Sequence, residues 1–161
     1  MTGRKPLRCG VKWGRDEKSF VDYRCAEVGG DKTRDCKKIE KLQYQYDVVY
    51  VSRFTNKGSP LLEILDWEGY ADETLAFEPR KDAIVFEKTG YSAFLPEMKE
   101  FEKIYICGFD TDACVYKTAM DLAELGICPV VLKDCCSSAT QEAHEMGLKL
   151  LERNIGKKNV L

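Results

Sequence analysis

Cys114 is the residue of this 161-residue chain whose position is best suited to covalent chemistry. It lies in ICGFDTDACVYKTAMDL, residues 106–122, where an apolar run ends at a glycine and a helical pattern begins. A cysteine in the first turn of a helix experiences the positive end of the helix dipole and free backbone N–H groups, and both favour the thiolate. The same N–H groups can hold the oxygen anion of a tetrahedral intermediate. One turn can therefore supply a nucleophile and an oxyanion hole.

A nucleophilic thiol also needs a neighbouring charge and a proton acceptor. Lys88 ends an apolar run at residues 82–88, so a parallel sheet would place it at the same edge as Cys114. The alternative is an ordinary solvated lysine at a strand end. The only histidine, His144, falls on a predicted helix, where we expect it at the surface. An Asp or a Lys must therefore assist the thiol.

Four continuous apolar runs are typical of strands that are covered on both faces, at residues 46–54, 82–88, 103–109 and 128–134. Helical patterns occupy residues 31–42, 110–126 and 137–156. The last two patterns would bury Val115, Ala119, Leu122 and Leu125, and Ala143, Met146, Leu150 and Leu151. This alternation predicts an α/β, doubly wound (Rossmann-like), mainly parallel sheet with helices on both faces. We expect one domain over residues 1–161. Residues 7–13 alternate apolar and polar, so the first strand is atypical.

The composition narrows the classes of partner. A net charge of -2 gives no reason to expect nucleic acid or an anionic membrane surface. No apolar run approaches the roughly 20 residues that cross a bilayer, and no signal-peptide pattern occurs, so we expect a cytoplasmic protein. The eight cysteines include no Cys-x-x-Cys pair, and Cys107, Cys128, Cys135 and Cys136 are expected as core or near-core thiols. We expect no metal and no cofactor.

Two segments resemble the cysteine hydrolases of the isochorismatase-like superfamily, which includes nicotinamidases and N-carbamoylsarcosine amidases. They are VFEKTGYSAF and IYICGFDTDACVYKTAMDLAELGICPVVLKDCCSSAT, residues 85–94 and 104–140. The shared features are a strand-end Lys before Ser-Ala-Phe, a Gly-x-x-Thr-x-x-Cys-Val turn and a later Asp-x-x-x-Ser. The resemblance extends over about residues 46–156, well over half of the chain.

The resemblance implies an Asp-Lys-Cys triad with Cys114 as nucleophile and Lys88 as the adjacent cation. It also implies a cis peptide between Phe109 and Asp110, with the N–H groups of Asp110 and Cys114 forming the oxyanion hole. The segment from Asp134 to Ser138 is interpreted as structural, closing a strand and capping the last helix.

The catalytic Asp of this family lies in an Asp-x-Gln-x-x-Phe motif that ends the first strand. The nearest sequence here is GRDEKSF, which has no Gln and is one residue short. It gives Asp16 as the predicted general acid/base and Phe20 as a pocket residue. Asp22 is another candidate, and the chain could also contain no replacement.

The absence of histidine from residues 63–75 disfavours a nicotinamidase that uses a metal. The predicted function is a metal-independent cysteine hydrolase that cleaves a C–N, amide-like bond of a small molecule through a Cys thioester. The alternative is a catalytically impaired or inactive domain that binds a small molecule or a partner. A nucleotide-binding domain ranks lower, because no glycine-rich phosphate motif follows a predicted strand. The resemblance further implies a homodimer or homotetramer.

Overall fold

A single parallel sheet organises the part of the chain that the computed structural model describes, namely residues 19–22, 32–70, 75 and 77–161. Its strands follow the order β3-β2-β1-β4-β5. They are β1 (Ser19–Asp22), β2 (Val48–Phe54), β3 (Ile84–Lys88), β4 (Lys103–Phe109) and β5 (Cys128–Ser137). Adjacent strands pair in parallel throughout. The predicted α/β, doubly wound fold is confirmed.

Helices connect and cover these strands. They are α1 (Lys32–Leu42), the single turn α2 (Leu61–Ile64), α3 (Tyr116–Glu124) and α4 (Gln141–Leu151). Short 3-10 segments lie at Gln43–Gln45, Pro96–Glu100 and Lys157–Asn159, and π-helical turns lie at Thr111–Val115 and Glu152–Gly156. No helix among the described residues is long and apolar enough to cross a bilayer.

Both faces of the sheet are covered at its centre. Val49, Tyr50 and Val51 of β2 are buried one after another, and so are Ile106 and Cys107 of β4. Because successive strand residues point to opposite faces, burial of consecutive residues requires cover on both sides. This agrees with the prediction made from the continuous apolar runs for β2 and β4. For residues 82–88 the prediction is wrong, because Ile84 and Val85 of the edge strand β3 are 44% and 49% exposed.

The central strand is β1, which the apolar runs do not predict. The Cα atom of Phe20 is in register with Val49 of β2 on one side and with Tyr105 of β4 on the other. The alternating segment at residues 7–13 and the predicted general acid/base Asp16 lie outside the described residues. The strand that fills the centre of the sheet is thus the four-residue SFVD segment.

The connections reverse direction between β1 and β4, because β2 and β3 extend the sheet on one side and β4 and β5 on the other. Ligands of open α/β sheets bind at such a switch point, outside the carboxyl ends of the strands. Asp22, Lys88 and Phe109 are the last residues of β1, β3 and β4. Each of the candidate catalytic residues in the described part of the chain is thus the last residue of a strand at this edge or comes shortly after one.

Two details of helix packing differ from the predicted apolar faces. Leu125 is 47% exposed and Met146 is 53% exposed, so neither is a core residue. In α4 the buried positions are Gly147 and Leu151. The face that α4 turns inward is therefore set by a glycine contact that an apolar pattern does not reveal.

Candidate active site

Cys114 lies in a π-helical turn between β4 and α3, residues Thr111–Val115, which we call the Cys114 turn. The peptide bond between Phe109 and Asp110 is cis, as predicted. The Val115 N–H donates to the Asp110 carbonyl five residues earlier, at 3.0 Å. Such single π-helical turns are frequent at functional sites. Cys114 itself is half-buried and packs against the core.

Lys88 reaches this thiol from the end of β3. Its side chain interacts with that of Cys114, and its Nζ donates to the Tyr91 carbonyl at 2.6 Å. The residue is only 8% exposed, so it is not a solvated lysine at a strand end. Burial lowers the pKa of Lys88, whereas the charges of Cys114 and Asp110 act in the opposite direction. Lys88 is thus a buried cationic side chain next to the sulfur of Cys114.

The Cys114 turn is attached to the end of β5 through Thr111. The Thr111 N–H donates to Ser138 Oγ at 3.1 Å, and Thr111 Oγ1 donates to the Ser137 carbonyl at 3.1 Å. Ser138 Oγ in turn donates to Asp112 Oδ1 at 2.6 Å. The prediction that Asp134 to Ser138 caps the last helix is wrong, because Thr140 accepts from the Ala143 N–H and is the cap. Ser138 anchors the turn instead.

Helix α4 supports the turn from the other side. His144 Nδ1 lies 2.7 Å from Thr111 Oγ1. One helical turn later, a Cβ on Gly147 would lie 2.7 Å from the Asp112 backbone nitrogen, which shows how closely the two backbones approach. The expectation that His144 lies at the helix surface is wrong, since it is half-buried. Thr111 was part of the Gly-x-x-Thr motif but was not predicted as a site residue, and the sequence pattern gave no sign of its contact with His144.

An aromatic cluster lies at the carboxyl end of β2, beside Lys88. The ring centroids of Phe54 and Trp67 are 5.7 Å apart, those of Phe54 and Tyr70 5.5 Å, and those of Trp67 and Tyr70 4.9 Å. Phe54 is in register with Lys88, and Asn56 pins the backbone of Tyr70 with hydrogen bonds of 2.7 and 2.9 Å. These contacts hold the segment after β2 against the end of β2, the strand that pairs with the lysine-carrying β3.

The carboxylate of the expected triad has one candidate among the described strand ends. Asp22 ends β1, the strand between β2 and β4. Phe20, predicted as a pocket residue, lies within the same strand, two residues earlier. Lys88 and Cys114 interact, and Asp22 ends the strand next to β4, which leads to the Cys114 turn, whereas β2 separates it from the strand of Lys88. Asp16 lies outside the described residues.

The other cysteines show how Cys114 differs. Cys107, Cys135 and Cys136 are buried, as expected of core thiols. Cys128 is half-buried, like Cys114, but it begins β5 and therefore lies at the opposite, amino end of its strand. Cys36, also half-buried, lies in α1. Among the cysteines that the structure describes, Cys114 is thus the half-buried one that follows the carboxyl end of a strand.

The model of the Isochorismatase domain family matches residues 36–157 of the chain. Isochorismatase domain-containing protein 2 of Xenopus laevis is 36% identical over 63 residues, 35% of this chain and 31% of that protein. Isochorismatase family protein 2A of Dictyostelium discoideum is 22% identical over 121 residues, 70% of this chain and 58% of that protein. The matched part thus spans 31% and 58% of the length of these two relatives.

Solved structures share the fold. An isochorismatase-like hydrolase from Alkaliphilus metalliredigens superimposes with a TM-score of 0.72 at 18% identity, over 89% of this chain and 93% of that chain. The nicotinamidase PncA from Bacillus subtilis gives a TM-score of 0.71 at 20% identity, over 89% and 98%. With the family match, the sheet order and the Lys88–Cys114 contact at its carboxyl edge, this chain belongs to the isochorismatase family.

Proposed function

We propose that the chain is a metal-independent cysteine hydrolase that cleaves a C–N, amide-like bond of a small molecule. The observation that carries the proposal is the interaction of the buried Lys88 side chain with Cys114, which lies in the turn that precedes α3. Membership of the isochorismatase family supports hydrolase chemistry, and the nicotinamidase among the similar structures supports an amide as the substrate class. Metal independence and the amide substrate class are tested separately below.

In the proposed reaction a carboxylate takes the Cys114 thiol proton, and Lys88 stabilises the resulting thiolate. The sulfur attacks the carbonyl carbon, and the oxyanion is held by the N–H groups of Asp110 and Cys114. The protonated carboxyl then gives its proton to the leaving nitrogen as the C–N bond breaks, which leaves a thioester and a free amine or ammonia. The carboxylate next takes a proton from water, the hydroxide cleaves the thioester, and the proton returns to the sulfur.

Asp22 is our candidate for this carboxylate. Because it ends the central strand at the carboxyl edge, its backbone lies beside the strand that leads to the Cys114 turn. Asp16 precedes β1 in the chain and is the alternative. Replacement of each by Asn distinguishes them: loss of hydrolysis on the order of 100-fold or more is expected for Asp22→Asn, with Asp16→Asn close to wild type. The reverse order would assign the role to Asp16.

A metal does not fit the residues of this site. Histidine ligands would have to come from a chain that contains one histidine, and His144 is hydrogen-bonded to Thr111 on α4. The segment at residues 63–75 contains carboxylates but no histidine. We therefore derive no step through a metal. Hydrolysis should be unchanged after dialysis against a chelator, and restoration of lost activity by Zn²⁺, Mn²⁺ or Fe²⁺ would contradict this.

The substrate class is tested with a small panel of amides, including nicotinamide, N-carbamoyl amino acids and short aliphatic amides. Ammonia release is measured with a coupled dehydrogenase assay. Cys114→Ala should abolish any hydrolysis, whereas the matched variant Cys128→Ala, which removes a half-buried cysteine at the other end of a strand, should retain it. If Cys114→Ala is as active as wild type, the proposal is wrong. If no amide is hydrolysed while a panel member binds, the domain binds without turnover.

A further inference from the structure

Thr111 is a fully buried residue of the Cys114 turn, three residues before the thiol. Its hydroxyl has two neighbours, the Ser137 carbonyl at 3.1 Å and His144 Nδ1 at 2.7 Å. One neighbour belongs to the end of β5 and the other to α4. This hydroxyl therefore joins the Cys114 turn to two separate elements of the fold.

The protons of these two contacts can be assigned from hydrogen-bond capacity. A threonine hydroxyl has one proton to donate and lone pairs with which to accept. The Ser137 carbonyl only accepts, so the Thr111 proton points to it. His144 must then donate from Nδ1, which selects the Nδ1–H tautomer of the neutral ring. Protonation of Nε2 at low pH would leave this Nδ1–H donor in place.

A second, independent contact shows that α4 is the support of the turn. Gly147 follows His144 by three residues and therefore lies on the same face of the helix. A Cβ there would lie 2.7 Å from Asp112 N, 2.8 Å from Asp112 Cα and 2.9 Å from the Thr111 carbonyl carbon. The helix thus touches the turn at the two residues that precede Ala113 and Cys114, once by a hydrogen bond and once by backbone contact.

We propose that His144 is a positioning residue for Cys114, acting as an Nδ1–H donor that fixes the Thr111 hydroxyl and thereby the turn that presents the thiol to Lys88. The inference rests on the proposed function in that Cys114 is the nucleophile. Its immediate consequence is a property of the thiol, namely its rate of reaction when Lys88 is in place, and this can be measured without any substrate.

The test uses two replacements of His144 that differ in one property. In His144→Asn the amide Nδ2 takes the place of the Nδ1–H donor, whereas His144→Leu has a similar size and no donor. Site-resolved alkylation by iodoacetamide, followed by peptide mass spectrometry, should show Cys114 reacting on the order of tenfold more slowly in His144→Leu. His144→Asn should recover most of the rate. Lys149→Leu places the same residue at an exposed position of α4 and should leave the rate unchanged.

A second measurement, the tautomer of the His144 ring, is made on the wild-type protein and so remains valid if a His144 variant folds poorly. Because the chain has one histidine, ¹⁵N imidazole resonances of the wild-type protein belong to His144 alone. They should report the Nδ1–H tautomer, and Thr111→Val, which removes the acceptor, should shift the ring towards the Nε2–H tautomer. An Nε2–H ring in the wild type, or wild-type labelling of Cys114 in His144→Leu, overturns the inference. Failure of the proposed hydrolase function alone would give a different result. In that case no amide would be hydrolysed, but the alkylation rate of Cys114 would still depend on His144.

Discussion

Replacement of Gly147 by alanine tests how closely α4 and the Cys114 turn approach. At an ordinary helix position this change stabilises a protein by about 1 kcal/mol, because glycine is the poorer helix former. Here the new methyl carbon would lie 2.7 Å from Asp112 N, about 0.7 Å short of the 3.4 Å at which ordinary contact begins. The contacted atoms are backbone, so they cannot move aside as a flexible side chain would. Overpacking of this kind costs about 1–3 kcal/mol.

The two effects together predict a free energy of unfolding between unchanged and about 2 kcal/mol lower in Gly147→Ala. The reactivity of Cys114 should also fall, because a displacement approaching 1 Å of a reacting group can cost about 100-fold in rate. We expect Cys114 alkylation to slow by about 10- to 100-fold, measured beside urea unfolding. A variant that is about 1 kcal/mol more stable than wild type, with normal labelling, would refute the close approach.

The same substitution at Gly90 is the matched control for this prediction. A Cβ on Gly90 meets no atom within 4 Å, although the residue lies only two positions after Lys88. Gly90→Ala should therefore leave the Cys114 labelling rate and the stability close to wild type. Equal losses in both variants would show that the labelling assay responds to general perturbation rather than to the position of the turn.

Three further outcomes are expected. Lys88→Met should slow Cys114 alkylation by about 10- to 100-fold, because a hydrogen bond from a charged group contributes about 1.5–3 kcal/mol. The free energy of unfolding of the same variant, measured before alkylation, should rise because a buried charge is lost. A wild-type alkylation rate in Lys88→Met would contradict the role assigned to Lys88. Because burial lowers the pKa of Lys88, the unfolded state binds the Lys88 proton more tightly than the folded state does. The wild type should therefore gain stability relative to Lys88→Met as the pH rises from the lowered folded-state pKa to the ordinary value. A constant difference in the free energy of unfolding between the two proteins over that pH range would refute this. Thr118→Val should cost about 1–3 kcal/mol in urea unfolding, because it removes the buried hydroxyl that accepts from the Ala93 N–H at 2.9 Å; Lys117→Ala, at an exposed neighbour, should cost much less.

Four of the five described strands, β2 to β5, could be predicted from the sequence because each contains a continuous apolar run. Of these, β2, β4 and β5 bury consecutive residues, whereas the edge strand β3 is largely exposed. The predicted residues 103–109 agree with the observed β4, Lys103–Phe109. The central strand could not, because Ser19–Asp22 has four residues and no distinctive pattern. Its position is determined by pairing with β2 and β4 at once, which is a property of the assembled sheet.

Some features of the candidate site could likewise be predicted from the sequence, and others could not. Cys114 and Lys88 were identifiable because strand ends and helix starts are visible as patterns, and the resemblance supplied their order. Burial of Lys88 was not visible, because a lysine after an apolar strand is ordinarily solvated. The contacts of His144 and Gly147 with the turn were missed because apolar periodicity detects large side chains, whereas this interface is made by one imidazole and the absence of a side chain.

The relative alkylation rates of Cys114 and Cys128 in the wild-type protein test the central claim most directly. Both thiols are half-buried, so general access to iodoacetamide is comparable, but only Cys114 is paired with Lys88 among the described contacts. If a carboxylate takes the Cys114 proton and Lys88 stabilises the charge that forms on the sulfur, Cys114 should be labelled at least on the order of tenfold faster at neutral pH. Equal rates for the two cysteines would contradict the assignment of Cys114 as the nucleophile.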